Sequence, residues 1–167
     1  MTSLNCAVLT ISDSRTLKDD TSGSLLAELL AADGHRLADR NLVRDSIYDV
    51  RAVVSNWIAD ETIQVVVTTG GTGFTGRDST PEALLPLFDK VIEGFGELFR
   101  QISYEDIRAS TIQSRAVGGL ANATLIFALP GSSNAVRTGW EQILSKQLNG
   151  ETRPCNFVEL LPRLRES

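Results

Sequence analysis

The sequence predicts an α/β fold with three layers, α/β/α, built on a mostly parallel central sheet. Three observations carry that reading. The apolar runs at 6–11, 63–68 and 125–129 lack the alternation of a half-exposed strand, as expected of strands covered on both faces. Patterns of helical period separate those runs. Strand–helix alternation of this kind gives a sheet with helices on both sides.

Each element has its own justification. Cys6, Val8, Leu9 and Ile11 form the first strand, and a polar stretch at 12–20 follows as a loop. Leu25, Leu26, Leu29 and Leu30 recur at helical spacing, and Gly34 stops that helix. Residues 36–43 make a weaker strand. Asp45 or Ser46 caps the next helix, whose Ile47, Val50, Val54, Trp57 and Ile58 fit a 3.6-residue period. Val65, Val66 and Val67 mark the clearest buried strand. Pro81 suits a first helical position, which makes Thr80 the N-cap. Ser79 and Glu82 spell a competing capping box. Phe95, Leu98, Phe99 and Ile102 give the inner face of a helix running to about Ile107. The strand at 125–129 ends in Pro130-Gly131-Ser132-Ser133, and a helix follows through Leu148. The segment 152–167, with Phe157, Val158, Leu160 and Leu161, packs as an appendage to a single domain spanning 1–167.

Bulk properties narrow the function classes. The chain has 167 residues, a net charge of −5 and 42% hydrophobic residues. An acidic chain without a basic stripe is not expected to bind nucleic acid. No apolar stretch is long enough to cross a bilayer, and no basic segment leads into an apolar one at the N-terminus. Cys6 and Cys155 form neither a disulfide framework nor a metal pattern, so a cytoplasmic location is expected. The single histidine, His35, cannot build a zinc site alone. It follows Gly34 and is expected to be solvated in a turn.

Ligands of parallel α/β sheets sit beyond the carboxyl ends of the strands. That rule selects three loops, at 12–22, 69–80 and 130–134. The second contains Thr68-Thr69-Gly70-Gly71-Thr72-Gly73. Glycines let a backbone turn sharply, and consecutive N–H groups then converge on an anion such as phosphate. Residues 71–76 match GxGxxG literally, but Pro81 starts the helix too late for a dinucleotide fingerprint, and no Gly-Lys-Ser/Thr follows for a P-loop. Asp78 lies between the glycines and the helix, and Asp45 lies beyond the second strand at the same sheet edge. Two carboxylates beside a phosphate cradle suit magnesium, though each also reads as a cap or turn residue. Asp13 and Asp20 carry the same ambiguity. Ser12 and Asp13 follow the first strand, and Arg115, after Ser114, offers a guanidinium that can clamp phosphate.

These residues resemble a known family. The glycine turn followed by Arg77-Asp78-Ser79-Thr80-Pro81-Glu82 is similar to the signature of the molybdenum cofactor biosynthesis family that includes MoaB, Mog and the gephyrin-like domains. Thr10-Ile11-Ser12-Asp13-Ser14, Asp20-Thr21-Ser22-Gly23, Glu93-Gly94-Phe95-Gly96-Glu97, Ser114-Arg115-Ala116 and Leu129-Pro130-Gly131-Ser132 extend the likeness over nearly the whole chain. Thr152-Arg153-Pro154-Cys155-Asn156-Phe157 resembles the MoaB branch in particular.

The resemblance implies a molybdopterin-binding α/β domain that assembles as a homo-oligomer, trimer or hexamer. It implies adenylylation of molybdopterin with MgATP and release of pyrophosphate. Asp78 and Asp45 fall on the two aspartates that matter for that reaction and would hold Mg2+. Ser12, Asp13, Thr69, Gly70, Gly71, Thr72, Gly73, Glu82, Ser114, Arg115, Pro130, Gly131 and Ser132 fall on the substrate-binding positions. Many active members show Pro-Asp-Glu around the second aspartate, where this chain has Arg44-Asp45-Ser46. Two functions are therefore expected in competition: a molybdopterin adenylyltransferase, and a non-catalytic molybdopterin-binding or carrier protein.

Overall fold

The computed structural model describes residues 2–165. Its elements run β1 (Asn5–Ile11), α1 (Thr21–Ala32), β2 (Arg36–Val43), α2 (Ile47–Ala59), β3 (Val65–Thr69), α3 (Thr80–Leu84), β4 (Lys90–Val91), α4 (Glu93–Ile107), β5 (Val117–Ala121), β6 (Thr124–Leu129) and α5 (Ser133–Gly139). A π-helical turn, Trp140–Leu144, and a last turn, Ser145–Gln147, continue α5. Met1, Glu166 and Ser167, at the bounds of the expected domain and appendage, lie outside the described residues.

The sheet has six strands in the order β2-β1-β3-β6-β5-β4. β2, β1, β3 and β6 are parallel, β5 pairs antiparallel with β6, and β4 pairs antiparallel with β5 at the edge. Alternate residues of each central strand face opposite layers. Cys6, Val8, Val65, Val67, Leu125, Phe127 and Leu129 pack against α1, α4 and α5 through Leu26, Leu30, Phe95, Phe99 and Val136. Ala7, Leu9, Ile11, Val66, Ile126 and Ala128 pack against α2 and α3 through Val50, Val54, Trp57, Ala83 and Leu84. The unbroken apolar runs in the sequence are thus the two faces of a covered sheet, and the three-layer expectation holds. No helix of the described residues is long and apolar enough to cross a membrane.

Local chemistry corrects several expectations. Thr80 is not the cap of α3 but its first residue, with Ser79 at the N-cap position. Pro81 therefore sits one place further in, where its missing N–H is still among those with no helical partner. The Ser79 hydroxyl makes no capping bond and instead donates to Asp45 Oδ1 at 2.6 Å. The choice between Asp45 and Ser46 resolves to Ser46, whose side chain accepts the Asp49 N–H. Leu98 is exposed, so the inner face of α4 is carried by Phe95 and Phe99, with Ile102 packed at its margin.

His35 is not solvated. It is 6% exposed, its Nδ1 accepts the Leu4 N–H at 3.3 Å, and its ring meets Trp140 edge-on. Cys6 is buried in the sheet, and burial pushes its thiol up to about 12. Beyond α5, Phe157, Val158 and Leu161 pack onto the α1–α4–α5 layer, with the Phe157 ring 6.0 Å from that of Phe127. Leu160 faces solvent.

Candidate functional site

The carboxyl ends of β1, β3 and β6 lie side by side, because Thr10 pairs with Thr69 and Thr69 with Leu129. The chain leaves β1 toward β2 on one side and leaves β3 for the other, so a crevice opens between them. A cavity of about 550 Å³ occupies this place. It brings together Ser12, Asp13, Asp45, Thr69, Gly70, Gly71, Thr72, Gly73, Asp78, Ser114, Pro130, Gly131 and Ser132. All three loops singled out by the strand-end rule contribute.

The glycines answer to crowding. Gly70 has a φ of +107°, and a Cβ there would lie 2.1 Å from the Ile11 carbonyl oxygen. Gly71 has a φ of +67°, and a Cβ there would lie 2.2 Å from Thr80 Oγ1 and 2.7 Å from Asp45 Oδ2. The loop is pinned from outside. The Gly70 carbonyl accepts from Thr80 Oγ1 at 2.9 Å, that of Gly71 from the Thr80 N–H, that of Thr72 from the Arg115 N–H, and that of Gly73 from Arg115 Nε. Four successive carbonyl oxygens are thus turned to protein donors and do not repel an anion in the cavity. Gly76 has open space around it, so the literal GxGxxG match has no structural counterpart at its last position.

Both singled-out carboxylates are held by their neighbours. Asp45 Oδ1 accepts the Ser79 N–H at 3.1 Å as well as the Ser79 hydroxyl. Asp78 Oδ2 accepts the Thr75 N–H at 2.8 Å and the Thr75 hydroxyl at 2.6 Å. Burial raises the Asp78 pKa, but hydrogen bonds from Thr75 and Gly73 and the charge of Arg115 outweigh it. The net effect holds the carboxyl below its ordinary value, ionised at neutral pH.

Asp13 faces Arg77 in a two-pronged pair, Arg77 Nε to Oδ2 and Nη2 to Oδ1, each at 2.8 Å. Its Oδ1 also accepts the Asp45 N–H at 3.1 Å. Arg77's hydrogen bond, followed by that of Asp45, holds the Asp13 pKa below its ordinary value. Asp20 lies behind the cavity wall. It caps α1 by accepting the Gly23 N–H, and its other oxygen accepts from Thr10 Oγ1 and Arg40.

Glu82 and Arg115 lie outside the residues that line the cavity. The Arg115 guanidinium is engaged with the Gly73 carbonyl at 2.7 Å, the Asp78 carbonyl at 2.9 Å and the Glu82 carboxylate, and it lies over the Phe74 ring. In this arrangement it braces the glycine loop from behind. Ser114 does line the cavity, and its Oγ is buried without a partner.

Sequence reasoning missed the opposite wall. Ser103, Asp106, Ser110 and Gln113 come from the end of α4 and the 3-10 turn Arg108–Gln113, and Thr138 comes from α5, beyond the 130–134 segment that already holds Asn134. A signal was present for one of them. Ser103 follows Phe99 by four residues, which puts a hydroxyl on the inner face of α4, and it is buried. Arg77 adjoins Asp78 in the chain, and nothing in the chain order shows that it reaches Asp13.

Residues 7–150 match the family model described as "Probable molybdopterin binding domain". The chain is 56% identical over 151 residues to molybdenum cofactor biosynthesis protein B of Escherichia coli (strain K12), covering 90% of this chain and 89% of that protein. A crystal structure of a molybdenum cofactor biosynthesis protein B superposes with a TM-score of 0.86 at 44% identity, over 88% of this chain and 92% of the other. The molybdopterin biosynthesis Mog protein from Mycobacterium ulcerans gives a TM-score of 0.78 at 28% identity, over 85% and 93%. By sequence and by fold, the chain belongs to the MoaB/Mog family of molybdenum cofactor biosynthesis proteins, on the MoaB side of that family.

Proposed function

We propose that this protein acts in molybdenum cofactor biosynthesis, binding molybdopterin in the cavity at the strand ends and adenylylating it with MgATP. The observation that carries the reading is the convergence of Asp45 and Asp78 on the glycine turn. A polyphosphate and a divalent cation require both halves of that arrangement.

The reaction joins a terminal phosphate oxygen of molybdopterin to the α-phosphorus of ATP. The bond between the α-phosphorus and the bridging oxygen to the β-phosphate breaks, and pyrophosphate departs with its electron pair. The attacking oxygen is already anionic at neutral pH, so no strong base is needed. That suits a chain whose single histidine is buried against Trp140, away from the cavity. The glycine turn and the loop at Pro130, Gly131 and Ser132 hold the phosphates in line, and positioning lowers much of the barrier.

The donor set suits magnesium. A carboxylate offers about four acceptor sites, and Asp45 and Asp78 each have only part of theirs engaged. Among the described residues no cluster of three or more His, Cys, Asp or Glu stands ready to hold a metal. Magnesium is commonly held by one or two carboxylates together with ligand phosphates. When bound, the ion neutralises charge on the phosphate oxygens.

Incubation with molybdopterin, magnesium and ATP should yield adenylylated pterin and pyrophosphate in equal amounts. Pterin binding without product would favour the carrier reading, for which the Arg44-Asp45-Ser46 frame is the supporting observation. Self-assembly as a trimer or hexamer in the cytoplasm belongs to the same proposal. Leu85 and Ile112, both exposed, line one shallow groove and offer apolar surface for the assembly, and sedimentation equilibrium would give the number of copies.

A further inference from the structure

The cavity is acidic for a phosphate site. Its lining carries four carboxylates, from Asp13, Asp45, Asp78 and Asp106, against two guanidinium groups, from Arg15 and Arg77. Arg15 is turned to its own loop, donating to the Asp19 carbonyl and the Thr21 hydroxyl. Arg77 is the cation left to face a ligand, and its fork is filled by Asp13 through two bonds of 2.8 Å. A carboxylate presents two oxygens to a guanidinium in nearly the geometry that a phosphate does. Both side chains are well exposed, 67% for Arg77 and 40% for Asp13. An exposed ion pair adds little to stability, so the fold has small need of this one.

We propose that Arg77 is a phosphate-binding residue of this cavity and that the Asp13 carboxylate occupies its guanidinium until a ligand phosphate displaces it. The inference rests on the reading of the cavity as a site for phosphate-bearing ligands. It reverses the role expected of Asp13, which competes with the ligand instead of binding it. Asp13 stays in place after displacement because the Asp45 N–H still holds Oδ1. The Arg77–Asp13 pair joins the loop after β1 to the loop after β3. Phosphate arrival therefore frees the first loop from the second while fixing Arg77 on the ligand.

The two partners should respond in opposite directions. Inorganic pyrophosphate and MgATP are titrated calorimetrically into the full chain and its variants. Asp13→Asn keeps an oxygen for the Asp45 N–H but loses the charge that competes for Arg77, and it should tighten both ligands by up to ~5-fold. Arg77→Gln should weaken both by about tenfold or more. In an Arg77→Gln background, Asp13→Asn should change nothing, since no guanidinium remains to be released. Weakening by Asp13→Asn would make the pair a structural latch and overturn the proposal. So would a tightening that persists without Arg77, which would be general charge relief. Failure of the unaltered protein to bind either ligand would instead overturn the phosphate reading of the cavity, and the inference with it.

Discussion

At the scale of single residues, Asp78 and His35 show the same physics with opposite consequences. Asp78 is held ionised by Thr75, Gly73 and Arg115 at the edge of a cavity. An anion fixed there is available to a cation. Asp78→Ala is expected to cut adenylylation by about a hundredfold or more while leaving molybdopterin affinity within a few-fold, because a cation ligand acts mainly on the transferring phosphate. Measured turnover and pterin affinity falling in equal proportion would remove the metal role from this residue. His35 is held neutral, chiefly by burial, which lowers its pKa from 6.5 against a smaller opposing pull from Asp33. The unfolded chain then binds more protons between the two pKa values, so stability is full above about pH 6.5 and falls as the pH drops below it. Urea unfolding from pH 7.5 to 5.5 should show this loss, and His35→Gln should flatten it. The carboxylates with lowered pKa values titrate below that window and do not interfere.

At the scale of elements, the sequence displayed whatever is stabilised locally. β1, β3 and β6 stood out because covered strands are apolar without interruption. α1 and α2 stood out because their buried faces repeat every 3.6 residues. β4 and β5 were not legible. Lys90–Val91 is too short to show a pattern, and Val117-Gly118-Gly119-Leu120-Ala121 has the glycines of a loop. Packing accounts for them, since a Cβ at Gly119 would strike the Phe88 ring at 2.2 Å and one at Gly118 would sit tight against the Phe127 ring at 3.0 Å.

The β5–β6 hairpin also places Asn122 and Ala123 at φ values of 45° and 66°. Two-residue turns of that kind favour Asn-Gly. Ala123→Gly should therefore raise unfolding stability by about 1 kcal/mol, read as a shifted denaturation midpoint with unchanged slope. The loop after β3 depends on a distant arginine for its shape. Arg115→Lys cannot serve the Gly73 and Asp78 carbonyls and the Glu82 carboxylate together. It should lower turnover ~10–100-fold with the fold intact by circular dichroism.

At the scale of the whole molecule, the site is a product of strand order more than of any motif. The glycine turn and its aspartate were legible, and the three loops selected by the strand-end rule meet at one cavity. Ser103, Asp106, Ser110 and Gln113 were not, because they reach the cavity only after α4 has docked on the sheet. The Arg77–Asp13 pair is likewise a contact between residues 64 apart in the chain. The C-terminal segment is integrated in the same way. Phe157 joins the cluster through Phe127, which also meets Phe95 at 4.9 Å between ring centres. Phe157→Ala should therefore lower the stability of the whole fold by ~2–3 kcal/mol, somewhat less than for a fully buried ring. Thermal unfolding would show one transition moved to lower temperature. A separate early transition would mean that the segment melts alone.

The position of β6 between β3 and β5 has a consequence for how the chain is made. β3 is complete once Thr69 has emerged from the ribosome, but the neighbour that covers its second edge arrives only with Leu129. At ordinary rates of synthesis that interval lasts roughly 3–12 s. Throughout it, Val65, Val66 and Val67 present an open hydrogen-bonding edge, the kind that pairs with other nascent chains. Holdase chaperones would find their target on this protein in that interval, and it closes when the strand leading to Pro130 and Gly131 slots in.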